Sequence, residues 1–163
     1  MTIAITGHTS GIGKAIYEYF PKCIGFSLSS GYDIRDANIR KTIIAEMDAD
    51  VFVNCAHGGF AQAELLRDVF EAWKDTKKHI INIGVIKVSA RTWELVHETY
   101  PVEKLASHAM CDQLQQLDRQ CRLTNLCLGT VENYNGPLSF NHIINAIEYI
   151  IITEYEILRM DIK

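Results

Sequence analysis

The chain has 163 residues, of which 48% are hydrophobic, and a formal net charge of −4 at pH 7. This length predicts a single domain, residues 1–163, with a sizeable buried core. The acidic balance, without a basic stripe interleaved with aromatic residues, argues against nucleic acid as a partner. No apolar run approaches the ~20 residues of a membrane span, and the first residues do not resemble a signal peptide. We therefore expect no membrane partner.

Cysteine usage indicates a reducing compartment. The chain has five cysteines, at positions 23, 55, 111, 121 and 127. They form no Cys-x-x-Cys pair, and three of them lie in apolar runs, so we expect reduced thiols in a cytoplasmic protein. No set of His, Cys, Asp and Glu residues has the spacing of metal ligands, and we expect no metal site.

Short apolar runs alternate with helical patterns along the whole chain. The runs predict strands at 3–5, 23–28, 51–56, 80–85, 123–128 and 155–162, with a very short third strand within 31–36. Helical spacing predicts helices at 15–20, 39–47, 61–77, 101–120 and 140–151, and residues 86–99 have no clear period and indicate a loop. The alternation predicts an α/β fold, a doubly wound parallel sheet of the Rossmann type covered on both faces.

A glycine-rich segment, Thr6-Gly7-His8-Thr9-Ser10-Gly11-Ile12-Gly13, follows the first strand and leads into the first helix. Its glycines permit a tight turn and close approach to a ligand, and the free N–H groups of a helix start attract phosphate. This context predicts a nucleotide site, although glycines also close ordinary strand–helix turns. Ligands of such folds bind beyond the carboxyl ends of the strands, where the loops at His8, Asn54 and Gly129 should converge.

Five motifs resemble those of the short-chain dehydrogenase/reductase family, in the family's order and over nearly the full length. They are the glycine-rich loop, Asp33-Ile34-Arg35-Asp36, Asn54-Cys55-Ala56-His57-Gly58, Tyr100-Pro101-Val102-Glu103-Lys104 and Leu128-Gly129-Thr130. The resemblance implies an NAD(P)-dependent oxidoreductase that moves hydride to or from a small carbonyl or alcohol substrate. It implies cofactor contacts at Gly7, His8, Thr9, Ser10, Gly11, Ile12, Ser29, Asp33, Ile34, Asn54, Cys55, Ala56, His57, Lys104, Gly129, Thr130 and Val131.

Tyr100 and Lys104 are the candidate catalytic pair. Their i, i+4 spacing places both on one face of a helix. A nearby ammonium favours phenolate, so we expect Lys104 to lower the pKa of Tyr100 and make it a usable proton donor near neutral pH. The resemblance implies that Lys104 also holds the nicotinamide ribose. A solvated tyrosine beside a surface lysine is the alternative.

Several departures from the family leave the chemistry less well supported than cofactor binding. The chain is much shorter than usual members, and Val85 stands at the aligned place of the catalytic serine. The family's spacing back from Tyr100 falls near Lys87, so Ser89 is the candidate hydroxyl, with Thr92 second; a loop or capping serine is the alternative. The asparagine expected in the 61–77 helix is absent. Either His57 or His97 could replace the missing proton-relay group. The alternative is that each is a solvated loop histidine.

The second strand ends in Ser27-Leu28-Ser29-Ser30, without the acid that holds the ribose 2′-OH in NAD-preferring members. Serine hydroxyls, with Arg35, would accept a 2′-phosphate, so the sequence favours NADP over NAD. Asp33 is expected to accept a hydrogen bond from the adenine amino group, or to cap the helix that begins near Ala37.

The sequence leaves alternatives open for the oligomeric state and for the class of function. The apolar stripes of the 61–77 and 100–120 helices belong first to the core, but surplus apolar area suggests a homo-oligomer, a dimer or a tetramer built as a dimer of dimers. A non-catalytic dinucleotide-binding sensor or interaction module competes with the oxidoreductase, and a cofactor-dependent isomerase or epimerase is a third class.

Overall fold

The computed structural model describes residues 1–86 and 99–163. Their strands form one parallel sheet of six, in the order β2-β1-β3-β4-β5-β6. The strands are β1 (Ile3–Thr6), β2 (Cys23–Phe26), β3 (Val51–Asn54), β4 (His79–Val85), β5 (Arg122–Leu128) and β6 (Arg159–Ile162). The helices are α1 (Gly11–Tyr19), α2 (Ala37–Glu46), α3 (Ala61–Trp73), α4 (Tyr100–Gln115) and α5 (Phe140–Ile152).

The predicted doubly wound sheet is confirmed. From β1 the chain moves outward to β2, then returns past β1 to β3 and continues to the opposite edge. Alternate strand residues face opposite layers: Ile3 and Ile5 pack on the side of α1 and α5, and Ala4 packs on the side of α2, α3 and α4. The direction of winding changes between β1 and β3, so the loops after these two strands open a crevice where ligands of such folds bind.

The predicted third strand within 31–36 is wrong. A short 3-10 turn, Leu28–Ser30, follows β2, and Gly31 continues it with a left-handed φ of 92°. The Asp36 carboxylate then accepts the Asn38 N–H at 2.8 Å and begins α2. A turn followed at once by a helix cap leaves too few extended residues to pair with the sheet.

Two helices and the last strand are shorter than the apolar pattern predicts. The helix expected over 61–77 ends at Trp73, where the Thr76 hydroxyl donates to the freed Trp73 carbonyl at 2.7 Å. The helix expected to reach 120 ends at Gln115. The last strand begins at Arg159 rather than at 155. The residues beyond these ends are polar, as at 74–77, or exposed, as at Leu117 and Tyr155, so burial does not favour continuing the element there.

The α3 stripe does not supply surplus apolar surface. Leu65, Leu66, Val69, Phe70 and Trp73 are all buried within this chain. The argument for an oligomer from α3 therefore fails, because its outer face carries charged residues. The α4 helix differs, since Leu105 keeps 63% of its surface exposed. Within the described ranges, no helix combines the length and the apolar character needed to cross a bilayer.

Candidate functional site

The glycine-rich loop adopts a backbone that requires glycine. Gly7 and Gly11 have left-handed φ values of 79° and 51°. A Cβ at Gly13 would lie 2.2 Å from the Gly7 carbonyl oxygen, so the first turn of α1 packs directly on the loop. In the described structure the Ser10 side chain does not cap α1. The N–H groups of this first turn thus remain available to an anion.

Three loops meet at this edge of the sheet, as predicted. The Thr6 hydroxyl accepts the N–H groups of Cys55 and Ala56, both at 3.1 Å. A Cβ at Gly7 would approach the Ala56 Cα to 3.1 Å, and one at Gly11 would lie 3.7 Å from the Asn133 amide nitrogen. The loops after β1, β3 and β5 are therefore in contact.

A cavity of about 400 Å³ lies beside these loops. It is lined by Leu28, Tyr32, Asp33, Ile34, Arg35, Ala56, His57, Gly58 and Gly59. A Cβ at Gly58 would meet the Ile34 side chain at 2.8 Å, so the loop after β3 packs on Ile34 without room for a side chain. This size and mixed lining suit a small organic ligand, and four predicted cofactor residues share the cavity.

Asp33 and Arg35 form a closed pair in the cavity wall. The Asp33 carboxylate accepts the Arg35 backbone N–H at 3.0 Å and its guanidinium at 2.7 Å. Arg35 lowers the pKa of Asp33 through these hydrogen bonds. Because Asp36 caps α2, the suggestion that Asp33 does so is wrong.

Hydroxyl groups cluster where β2 ends. The Ser27 and Ser30 hydroxyls lie 2.8 Å apart, and those of Ser27 and Ser29 lie 3.1 Å apart. The Ser29 hydroxyl donates to that of Thr9 at 3.3 Å, which joins the cluster to the glycine-rich loop. Both predicted contacts, Thr9 and Ser29, are exposed there, and the 28–30 turn carries no acid.

Tyr100 and Lys104 share one face of α4, as their spacing predicts. The Lys104 ammonium lies 5.7 Å from the centre of the Tyr100 ring. Lys104 is only 5% exposed, and its ammonium donates to the Gln62 carboxamide oxygen at 2.7 Å. Burial lowers the pKa of Lys104 to about 8. The alternative of a surface lysine beside a solvated tyrosine is therefore wrong for Lys104.

The expected effect of Lys104 on Tyr100 is also wrong for this arrangement. Burial raises the pKa of Tyr100, and the charges of Tyr134 and Glu103 raise it further. The physical reason is that the phenol is partly withdrawn from water while the ammonium is directed to Gln62. Tyr100 therefore stays protonated through the neutral range.

His57 connects the cavity to the Tyr100 face. Its ring packs edge-on against that of Tyr100, with ring centres 5.0 Å apart. Its Nε2 lies 3.3 Å from a carboxylate oxygen of Glu103, whose side chain is 11% exposed. Of the two histidines that the sequence placed near the cleft, His57 thus contacts the candidate acid.

A buried row of amides crosses the sheet below this face, and the sequence interpretation missed most of it. The Asn54 amide donates to Asn82 at 3.1 Å, and the Asn82 amide donates to Asn125 at 3.1 Å. Asn54 also donates to the Gln62 carbonyl at 2.9 Å. Asn54 is fully buried, so its expected cofactor contact is not on an open surface. A usable signal was the recurrence of Asn within otherwise apolar strands, at Asn54, Asn82 and Asn125.

No family model matches the sequence, and no curated protein matches it. Several solved structures are similar to this structure, at low sequence identity. A small-chain dehydrogenase in complex with NADPH has a TM-score of 0.76 at 16% identity, over 100% of this chain and 96% of the other. A short-chain dehydrogenase/reductase from Vibrio parahaemolyticus has 0.72 at 12%, over 98% of each chain. A 4-hydroxyisoleucine dehydrogenase complexed with NADH and succinate has 0.71 at 18%, over 99% and 97%. The chain has the fold of the short-chain dehydrogenases.

In this short-chain dehydrogenase fold, the remaining predicted residues have mixed environments. Ser10 and Thr130 are exposed, and Val131 is buried. Gly129 donates its N–H to the Ile162 carbonyl at 2.8 Å. Ile12 packs against the core cluster of α1 and α5. Cys55 is partly exposed as a residue, and burial of its thiol raises the pKa to about 11.

Other predicted residues contact one another or fall outside the described chain. The His8 ring packs against Tyr17, with ring centres 4.8 Å apart, and leaves no room for a side chain at Gly25. All five cysteines are free thiols. Within residues 1–86 and 99–163, no group of three or more His, Cys, Asp or Glu is arranged to hold a metal ion. Four predicted or weighed positions lie outside the described residues: Lys87, Ser89, Thr92 and His97.

Proposed function

We propose that this protein is a short-chain NAD(P)-dependent oxidoreductase that moves hydride to or from a small carbonyl or alcohol. The observation that carries the proposal is a buried lysine, Lys104, beneath a partly buried tyrosine, Tyr100, next to the loop that walls the cavity. Burying an ammonium is costly unless it is paired and hydrogen-bonded, and a buried titratable group beside a cleft is therefore a candidate functional group. The fold of dehydrogenases solved with NADPH or NADH supports the same function.

The residues of the edge fit a dinucleotide. The left-handed glycines and the close packing of Gly13 leave a backbone cradle that side chains would fill. Residues 7–12 would hold the phosphates, and Asp33, Ile34, Ala56 and His57 would surround the adenosine. Lys104 would hold the nicotinamide ribose, with Cys55 and the 129–131 loop nearby. A bound nicotinamide supplies or accepts the hydride.

Tyr100 is the proposed general acid. It keeps its proton at neutral pH and can donate it to a carbonyl oxygen that receives hydride, although its raised pKa makes it a weaker acid than a free tyrosine. In the opposite direction the same oxygen accepts the proton of an alcohol. Ser89, known only from the sequence, is the proposed hydroxyl that polarises the carbonyl.

The hydroxyl cluster supports a preference for NADP. Ser27, Ser29, Ser30 and Thr9 offer donors at the end of β2, without an acid that would repel a 2′-phosphate. Arg35 is bound to Asp33, so its help would require that pair to open.

The test measures both cofactor binding and turnover in three proteins. Reduced-cofactor oxidation is followed with a panel of aldehydes, ketones and quinones, and affinity is measured by cofactor fluorescence. Tyr100→Phe should lose about 10²- to 10⁴-fold in turnover with unchanged cofactor affinity. Tyr155→Phe, which removes an exposed phenol, should match the parent. Equal turnover in Tyr100→Phe and the parent would disprove the role of Tyr100 as the general acid.

A dinucleotide-binding sensor or interaction module is the second candidate. Val85 at the aligned serine place favours it, and so does the phenol of Tyr100 packed on His57. Tight cofactor binding with no turnover of any panel member would support this function instead. With either function, we propose one cytoplasmic domain whose exposed α4 residues, such as Leu105, form a homo-oligomer contact.

A further inference from the structure

The Gln62 carboxamide makes three hydrogen bonds that fix its orientation. It lies in the first turn of α3 and is 1% exposed. Its amide nitrogen donates to the carbonyls of Asn54 at 3.1 Å and Ile83 at 3.0 Å, and its oxygen accepts from Lys104 at 2.7 Å. Carbonyls only accept and an ammonium only donates, so a flipped carboxamide would lose all three bonds.

The Lys104 ammonium depends on this contact. In the described part of the chain, the Gln62 oxygen is its hydrogen-bond acceptor. Among residues 1–86 and 99–163, the ionisable groups that raise the pKa of the ammonium are Cys55 from the loop after β3 and Glu103 from α4. Two further groups on α4 lie near it: the Tyr100 ring, and His108, whose pKa the ammonium lowers. A buried ammonium with one neutral acceptor loses much of its stabilisation when that acceptor is removed.

We propose that Gln62 is the positioning residue of Lys104. Its carboxamide ties the ammonium to the carboxyl ends of β3 and β4 and thereby holds it charged beneath Tyr100. The sequence lacks the asparagine expected in this helix, and the glutamine acts from the helix's first turn instead. The link from Lys104 to catalysis rests on the proposed function, whereas the link from Gln62 to Lys104 does not.

Two substitutions at Gln62 change the charge of Lys104 in opposite directions. Gln62→Leu removes the acceptor at similar volume, so the pKa of Lys104 should fall below about 8, by about one unit. Gln62→Glu places a carboxylate beside the ammonium, so the pKa should rise. It also loses the two hydrogen bonds to the Asn54 and Ile83 carbonyls, so its folding is checked by urea denaturation. At pH 7 Lys104 should then be about half neutral in the first variant and fully charged in the second.

Gln115 offers a matched control. Its amide nitrogen also bridges two backbone carbonyls, donating to Leu123 at 2.9 Å and Leu158 at 2.7 Å. Gln115→Leu therefore removes a carboxamide of the same anchoring kind without touching Lys104. A general loss of anchoring would affect both leucine variants alike.

The decisive measurement is the titration of the Lys104 side chain by NMR of its Cε and Nζ resonances, assigned with Lys104→Met. We expect a lower pKa in Gln62→Leu, a higher one in Gln62→Glu and no change in Gln115→Leu. A Lys104 titration that is the same in Gln62→Glu and the parent would overturn the proposal. This nearly isosteric variant keeps the test valid if Gln62→Leu does not fold.

Cofactor affinity separates this inference from the proposed function. If Lys104 holds the ribose, NADPH or NADH should bind about tenfold more weakly to Gln62→Leu than to Gln115→Leu. If the Lys104 titration shifts in the Gln62 variants but the parent binds neither cofactor, the role of Gln62 is supported and the oxidoreductase is refuted. If the parent binds cofactor tightly but the Lys104 titration is unchanged in the Gln62 variants, only the role of Gln62 is refuted.

Discussion

The two halves of the carboxyl edge of the sheet are built in different ways. The half around β1, β2 and β3 presents backbone: left-handed glycines, an uncapped helix start and a turn of serines. The half around β4 and α4 presents buried side chains, with Lys104 held by Gln62 above a row of asparagines. The first kind of site depends on glycine at a few backbone positions, and the second depends on individual side-chain contacts.

This difference explains how much the sequence could predict. Glycine spacing and the serines after β2 act locally, so the sequence predicts where the loops of this half meet, whereas the individual cofactor contacts stay predictions. Gln62 is 42 residues from Lys104, and no local pattern announces a contact across that distance. The i, i+4 spacing placed Tyr100 and Lys104 on one face, but their pKa values depend on burial, which composition does not encode.

The largest effect on stability is expected at a side chain that supports the cofactor half. The buried Arg40 donates to Asp68 at 2.9 Å and to the Ile34 carbonyl at 2.9 Å, and it pairs with Glu64. Arg40→Met should lower the free energy of unfolding by about 3 kcal/mol, since the buried Ile34 carbonyl loses its donor and Asp68 and Glu64 each lose an ion-pair partner. It should also loosen Ile34 in the cavity wall.

Arg67→Met is the control for Arg40, because Arg67 bonds the same Asp68 at 2.9 Å from a half-exposed position. It should cost at most about 1 kcal/mol in urea denaturation. Equal losses in the two variants would mean that the cofactor half does not rest on the buried arginine.

A smaller effect should appear on acidification, through buried polar groups of the β4–β5 half. His79 lies 2.9 Å from the Thr124 hydroxyl, and burial, with Arg122, lowers its pKa to about 4. The unfolded chain binds a proton below about pH 6.5, and the folded chain does so only near the lowered pKa. Stability should therefore fall as the pH drops from about 6.5 to about 4, by about 2 kcal/mol at pH 5.

Denaturation curves at neutral pH and near pH 5 measure this slope in the parent and in His79→Gln. The variant should lose a large part of the pH dependence whatever its stability at neutral pH. Part will remain, because burial also lowers the pKa of His108. The same slope in both proteins would show that His79 is not the responsible group.

The smallest effect tests the cofactor half at one exposed residue. Ser29→Asp places a carboxylate in the hydroxyl cluster, where an acid accepts the ribose 2′-OH and repels a 2′-phosphate. We expect NADPH to bind about tenfold more weakly, a loss of about 1.4 kcal/mol, and NADH to bind no more weakly than before. Ser29→Asn, similar in shape but neutral, should leave NADPH affinity within about twofold of the parent, since charge rather than size is the cause.

Titration of both reduced cofactors by fluorescence compares the three proteins. Tighter binding of NADH than NADPH by the parent would refute the NADP preference, and equal losses in both variants would mean that shape rather than charge governs this position. Since Ser29 is exposed and its partner Thr9 belongs to the glycine-rich loop, neither change should alter the Lys104 titration. A change there would mean that the two halves of the edge are coupled.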